Sequence, residues 1–180
     1  EIERLGVQVR FNHYAEANDI ASENPDVVII ATGGVPDLSW IDGAEHCTSV
    51  WDVLAGTVRP SEHALVYDGT GRHPAVTVAE KLAGGGHAVE LVALDAQLAM
   101  EMSYAEQVIW RRRSYEIKLK TSFDRRLTRV VRDGNRLSAT FTNELTGERE
   151  DRETDQLIVE HGTTPADEIF HALSADSVNG

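Results

Sequence analysis

The sequence predicts an α/β protein built on a parallel sheet, and three stretches carry that expectation. The first is HALVYDGTGRHPAVTVAEKLAGGGHAVELVALD, from His63 to Asp95. It reads as strand, glycine turn, helix and strand. Residues 64–67 are a short apolar run of strand type, and Ala75, Val78, Ala79, Leu82 and Ala83 recur at the spacing of one helix face. Pro74 suits the first helical position, where its lacking N–H costs nothing. Gly84, Gly85 and Gly86 stop the helix by offering left-handed conformations. Residues 89–94 form the second strand, and the crossover of such a βαβ unit is right-handed. The second observation is a pair of continuous apolar runs, VVIIATGG and LIVEHGTTP, each ending in a glycine turn. Runs of that kind are strands buried on both faces. The third is Asp133-Gly134-Asn135 between the runs 127–132 and 137–143, a hairpin signal that adds an antiparallel element to the fold.

The remaining elements follow in order. Residues 1–5 read as the last turn of a helix capped by Gly6, and Val7, Val9 and Phe11 alternate as in a strand. Asn24-Pro25-Asp26 is a turn, and 27–31 is the first buried strand run. Ser49 caps a short helix with Asp52 three residues on, in a partial capping box, and Gly56 ends it. Residues 57–62, with Pro60, link to the βαβ unit. Residues 105–112 form a helix with Val108 and Ile109 turned inward and Arg111, Arg112 and Arg113 near its C-terminus, where cations suit the dipole. Ile117 and Leu119 alternate as in a strand, residues 149–152 supply a third antiparallel strand, and 166–173 close the chain as a helix.

Composition narrows the function. The chain has 180 residues, enough for one large domain or two small lobes. A formal charge of −13 speaks against a nucleic-acid partner, which needs a basic face. No run approaches the ~20 apolar residues of a membrane span, and the charged N-terminus lacks the apolar core of a signal peptide. Cys47 stands alone, which leaves no disulfide framework, thiolate metal site or iron–sulfur cluster and points to a reducing cytoplasm. The chain opens without Met on what reads as a helix end, as a segment of a longer polypeptide would.

The chemistry-bearing motifs are few. Gly69 and Gly71 match the first two glycines of GxGxxG, and Pro74 replaces the third, where close helix–strand packing is needed. A turn of this kind presents backbone N–H groups to a phosphate. Asp68 sets a carboxylate beside that place. Two unit charges ~4 Å apart repel by ~4 kcal/mol at an effective dielectric near 20, which Arg72 or His73 would have to offset. The turn is thus either a nucleotide phosphate turn or a vestige that only connects strand to helix. Asp95 is the nearest acid to the end of the second strand, where the fingerprint binds a ribose hydroxyl; the alternative is a solvated strand end. No arginine directly follows it, so neither reading favours NADP over NAD. His161 titrates in the useful range but has no carboxylate to pair with, and reads as a structural or surface histidine. The other histidines lack ligand spacing, so no metal is assigned. Cys47 has no CxxC partner and Ser49 and Ser61 no GxSxG context, so no residue is assigned to catalysis. Trp40, Trp51 and Trp110 read as packing residues.

In their order along the chain, VVIIATGGVPDLSWIDG, the GTGRHP turn and DQLIVEHGTTPADEIFHAL resemble the C-terminal half of the NADH:flavin oxidoreductases. That group includes trimethylamine and dimethylamine dehydrogenases, 2,4-dienoyl-CoA reductases and N-methylproline-type demethylases. The resemblance implies a Rossmann-like three-layer parallel sheet with an inserted Rossmann-like lobe. Residues 1–59 and 154–180 would be part of an FAD- or ADP-binding domain, and 60–153 an inserted NAD(P)-binding-like domain. It implies that Thr32, Gly33 and Gly34 pass the adenine nucleotide or flavin, that Gly162 serves similarly, and that Gly69, Gly71, Arg72 and Asp95 face NAD(P)H. FMN and an iron–sulfur cluster belong, by the same resemblance, to an N-terminal barrel of the same polypeptide, which would be this module's partner, with room for a homo-oligomer. The other reading is a non-catalytic scaffold with a degenerate nucleotide site.

Overall fold

The computed structural model describes residues 1–174. These pack as two compact units. One holds residues 1–35 with those from Pro165 onward, and the other holds residues 36–164. In chain order the elements are α1 (Ala17–Ser22), β1 (Gly34–Pro36), β2 (Thr48–Ser49), α2 (Val50–Ala55), β3 (His63–Asp68), α3 (His73–Gly84), β4 (Ala88–Ala93), α4 (Tyr104–Glu116), β5 (Lys120–Ser122), β6 (Arg125–Asp133), β7 (Arg136–Asn143), β8 (Arg149–Thr154), β9 (Gln156–Glu160), β10 (Thr163–Pro165) and α5 (Glu168–Ser174). No helix among the described residues is long and apolar enough to cross a membrane.

The second unit is three-layered. Its middle layer is a five-stranded sheet of order β2-β9-β3-β4-β5, parallel throughout. Strand alternation divides the side chains between two cores. Ala64 and Val66 of β3, Leu91 of β4 and Ile158 of β9 face the helical side, where they meet Ala75, Val76, Val78, Ala79 and Leu82 of α3. Leu65, Tyr67, Val92, Leu157 and Val159 face the other way and meet Leu127, Val130, Leu137, Ala139 and Phe141 of the antiparallel sheet β6-β7-β8. The expected hairpin is formed, with Asp133 paired to Arg136 around a two-residue turn. A polar clamp fastens the two sheets at their edge. Glu90 of β4, almost fully buried, is held by Lys120 at 2.7 Å, by the Ser122 hydroxyl at 2.7 Å and by Arg152 of β8.

The helices follow their sequence signals with small shifts. The Ser49 hydroxyl accepts from the amide of Trp51 and Gly56 caps α2 in a left-handed conformation. In α3 Pro74 is the second helical residue, and the left-handed glycine is Gly86, not Gly84 or Gly85. β4 ends at Ala93, so Asp95 stands two residues past the strand. The strand expected around Ile117 and Leu119 begins at Lys120 instead.

Three expectations are corrected. Residues 27–31 form no strand, and Val27 and Ile29 are 76% and 88% exposed. Val7, Val9 and Phe11 are likewise exposed and outside any strand. A strand needs a neighbour for its ladder, and no described strand lies beside either run. The helix actually present there is α1, with Glu16 and Asp19 forming a reciprocal cap. In α4 Val108 and Ile109 are 43% and 50% exposed. Trp110 is the α4 side chain that packs on the core, and the Arg113 guanidinium lies 5.3 Å from its ring centroid. The compact units divide at 35/36 and 164/165, and β2 and β9 hydrogen-bond into the same sheet as β3.

Phe141 is fully buried between the two sheets, against Tyr67 at 6.2 Å between ring centroids. Phe141→Ala is expected to cost about 3–5 kcal/mol of unfolding free energy, read from urea denaturation. Tyr67→Phe is expected to be neutral or slightly stabilising, because the hydroxyl it deletes is buried near the backbone of Leu127 without a well-formed hydrogen bond.

Candidate functional site

The carboxyl ends of β3, β4 and β9 border a cleft of about 360 Å³ lined by Gly69, Thr70, Arg72, Asp95, Glu101 and Gly162. This is where an open parallel sheet receives its ligands. A larger cavity of about 410 Å³ opens at the opposite ends of the strands, beside His63, His87, Glu90, Lys118 and Lys120. It holds no glycine turn or helix N-terminus. Four residues singled out in the sequence, Gly69, Arg72, Asp95 and Gly162, therefore meet around one cleft, and Gly71 is buried against the carboxylate of Asp95.

The turn itself is organised by Asp68, the last residue of β3. Its Oδ1 accepts from the amide of Gly71 at 2.8 Å and from that of Thr70 at 3.1 Å, with the Thr70 hydroxyl at 3.5 Å. An aspartate bonding backbone N–H groups two and three residues on is a local turn-former. Here it is also buried: Asp68 is 1% exposed, and Oδ2 has no partner among the described residues. Burial pushes its carboxyl up to about 6; the two amide bonds oppose that rise, and the carboxylates of Asp95 and Glu160 add to it.

The two glycines are explained by the protein's own atoms. A Cβ at Gly69 would lie 2.5 Å from Cδ2 of His161 and 3.1 Å from the Glu160 carbonyl oxygen, which already accepts from the Gly69 amide at 2.8 Å. Gly71 has φ +64°, and a Cβ there would lie 2.6 Å from Asp95 Oδ2 and 3.1 Å from the Glu101 nitrogen. The loop after β4 folds back over the turn, with the Glu101 amide donating to the Gly71 carbonyl at 3.1 Å.

The cleft is acidic. The Asp95 carboxyl is raised by burial, then by Glu101 and Asp124. That of Glu160 is raised by burial, against the Gly162 amide that it accepts at 3.2 Å and the charge of Arg72. Arg72, N-cap of α3 without a side-chain cap bond, is the one cationic residue among those lining the cleft. His161 stacks on Trp40, ring centroids 3.9 Å apart, and burial lowers its pKa. The sequence carries no signal that brings Glu101 or Glu160 to the cleft; the return of the loop onto the turn is a tertiary event.

Thr32, Gly33 and Gly34 lie in the first unit. There the Gly33 carbonyl accepts from the Ala166 amide at 3.0 Å, the Thr32 hydroxyl donates to the Ala166 carbonyl, and Gly33 has φ +69°.

A pyrophosphate held as a GxGxxG turn holds it needs amides that are free to donate. Those of Thr70 and Gly71 are spent on Asp68. The turn as folded does not fit that group.

A parallel sheet with a crossover helix on one face, an antiparallel meander on the other and glycine turns at its carboxyl end defines a Rossmann-like module. No family model matches the chain. It is 39% identical over 182 residues to the multifunctional alkene reductase/demethylase OYE of Caballeronia cordobensis, covering 99% of this chain and 27% of that protein. It is 34% identical over 187 residues to the N,N-dimethylglycine/sarcosine dehydrogenase of Chromohalobacter salexigens, with the same two coverages, 99% and 27%. Among solved structures, 2-naphthoyl-CoA reductase in complex with 2-naphthoyl-CoA superposes with a TM-score of 0.80 at 26% identity, over 96% of this chain and 25% of that one. The chain spans about a quarter of the length of these relatives. Along its length it is similar to one segment of flavin-dependent oxidoreductases of the alkene reductase/demethylase, N-methylproline demethylase and dimethylglycine dehydrogenase type.

The raised carboxyl of Asp68 has a defined effect on stability. A carboxyl that is harder to ionise when folded adds a cost as pH rises above its unfolded value of 3.8, and the cost is complete above about 6. Over that interval the loss is on the order of 3 kcal/mol. Asp68→Asn keeps an oxygen for the two amides and removes the ionisation. Its stability relative to wild type is expected to improve by about 2 kcal/mol between pH 4 and pH 7.5, checked by denaturant unfolding at both pH values; parallel curves would contradict it.

Proposed function

We propose that this chain is the nucleotide-binding-like module of a flavin-dependent oxidoreductase. Residues 1–59 and 154–180, with Thr32, Gly33 and Gly34, are part of an FAD- or ADP-binding domain, and residues 60–153 are the inserted NAD(P)-binding-like lobe. The observation that supports this reading most is the cleft at the carboxyl ends of β3, β4 and β9, bordered by Gly69, Arg72, Asp95 and Gly162. On this reading Asp95 takes a ribose hydroxyl and Arg72 a negative group. The partner is an FMN-bearing barrel of the same polypeptide, carrying an iron–sulfur cluster. There FMN would supply hydride or electron exchange with a substrate such as a methylated amine or an enoyl thioester. No side chain of this segment is given a catalytic role. A cytoplasmic, homo-oligomeric enzyme is the setting in which such a module works.

A second reading is favoured by one observation, the commitment of the Thr70 and Gly71 amides to Asp68. On that reading the second unit is a scaffold that keeps the fold of a nucleotide lobe without its use.

The intact polypeptide is the sample that tests the proposal. Acid-released cofactor is expected to contain about one FAD or ADP per chain, and Gly33→Val, which forces a β-branched residue to φ +69°, is expected to lower that to under a tenth. An intact protein free of adenine nucleotide contradicts the reading. A protein whose turnover is indifferent to NADH establishes the scaffold reading for the second unit instead.

A further inference from the structure

The turn after β3 has the form of an anion site whose anion is part of the chain. We infer that Asp68 is the specificity-determining residue of this turn: its carboxylate takes the two amides that a nucleotide phosphate would use, so the lobe excludes a pyrophosphate there. The inference rests on the module reading only in taking this turn as the counterpart of a phosphate turn.

Three features carry it. The amides of Thr70 and Gly71 both donate to the same atom, Asp68 Oδ1, and this convergence of two consecutive amides is what an anion requires. The carboxylate is fixed in place. Asp68 is buried, is paired in register with both Ala93 and Glu160, and its carbonyl accepts from the Leu94 amide at 2.9 Å. Swinging it outward would break a strand held on both sides. The surroundings also reject a second anion, since Asp95, Glu101 and Glu160 lie at or beside the cleft against the single guanidinium of Arg72. What remains for a ligand is a set of carboxylate acceptors and one cation, which suits a hydroxyl-bearing, weakly charged group and not a diphosphate.

The turn should therefore become an anion site when the internal anion is removed. Alanine at position 68 frees the amides and leaves the cleft, about 360 Å³ beside Gly69, Thr70 and Arg72, as the way in. In the intact polypeptide, titrated calorimetrically at pH 7.5 with inorganic pyrophosphate, NADH and adenosine, Asp68→Ala is expected to bind pyrophosphate and NADH at least tenfold more tightly than wild type. Adenosine, which carries no phosphate, is expected to gain nothing. If near-ultraviolet circular dichroism shows the alanine variant unfolded, Asp68→Ser, whose short neutral hydroxyl holds the amides only weakly, carries the test, with an expected gain of threefold or more. The inference is overturned if a folded variant binds pyrophosphate no more tightly than wild type. It is equally overturned if adenosine gains as much as the phosphate-bearing probes, which would mean only a wider cleft. Absence of FAD or ADP from the intact protein would sink the module reading without altering this comparison. Equal binding by wild type and variants would sink the inference and leave the cofactor content untouched.

Discussion

The second unit depends on β3 being buried on both faces and ending in an aspartate. Ala64 and Val66 close the helical core, Leu65 and Tyr67 close the core under the meander, and the strand is paired with β4 and β9 along its length. Full burial of apolar side chains on both sides is the main favourable term in such a sandwich, and it fixes the register within which Asp68 must sit. A one-residue slip would exchange the two faces. The same constraint that builds the core therefore carries a carboxylate to the top of the sheet, under the turn, where it is shielded from water.

That placement explains why the site looks like a nucleotide lobe and lacks its decisive feature. The fold supplies the turn, the helix N-terminus and the cleft, and each glycine stands where the fingerprint requires one. Yet the room beside Gly69 is taken by His161 and Glu160, and that beside Gly71 by Asp95 and the loop at Glu101. A glycine required by close approach of the chain to itself is indistinguishable, in sequence, from one required by close approach of a cofactor. Burial makes Asp68 expensive to ionise, and the two amides make it tolerable. The turn is stable because the charge and its donors satisfy each other.

The legible parts of the sequence were those whose signals are local. The apolar period of α3, the Ser49 cap, the Gly134 hairpin and the unbroken run 157–159 all specify their structure through neighbours a few residues away. Asp68 was visible as a charge in the wrong place, but its capture of the Thr70 and Gly71 amides was not anticipated. The failures have a common cause. The runs at Val7, Val9, Phe11 and at 27–31 have strand composition but no described strand to pair with. The face of α4 was misjudged because Trp110, not Val108 or Ile109, reaches the core. Beside Asp95, the acidity of the cleft is completed by Glu101 and the neighbouring Glu160, brought in by loop return and strand pairing, which no spacing rule encodes.

The central claim is that an ionisable, buried Asp68 holds the amides of the turn. It is tested most directly by following the Asp68 carboxyl carbon and the Thr70 and Gly71 amide signals together by nuclear magnetic resonance from pH 4 to pH 8. The carboxyl is expected to titrate near 6 and both amides to shift with the same midpoint, the Gly71 proton being the better protected against exchange. A carboxyl that titrates in the ordinary range near 4, with amides that do not respond to it, would contradict the account.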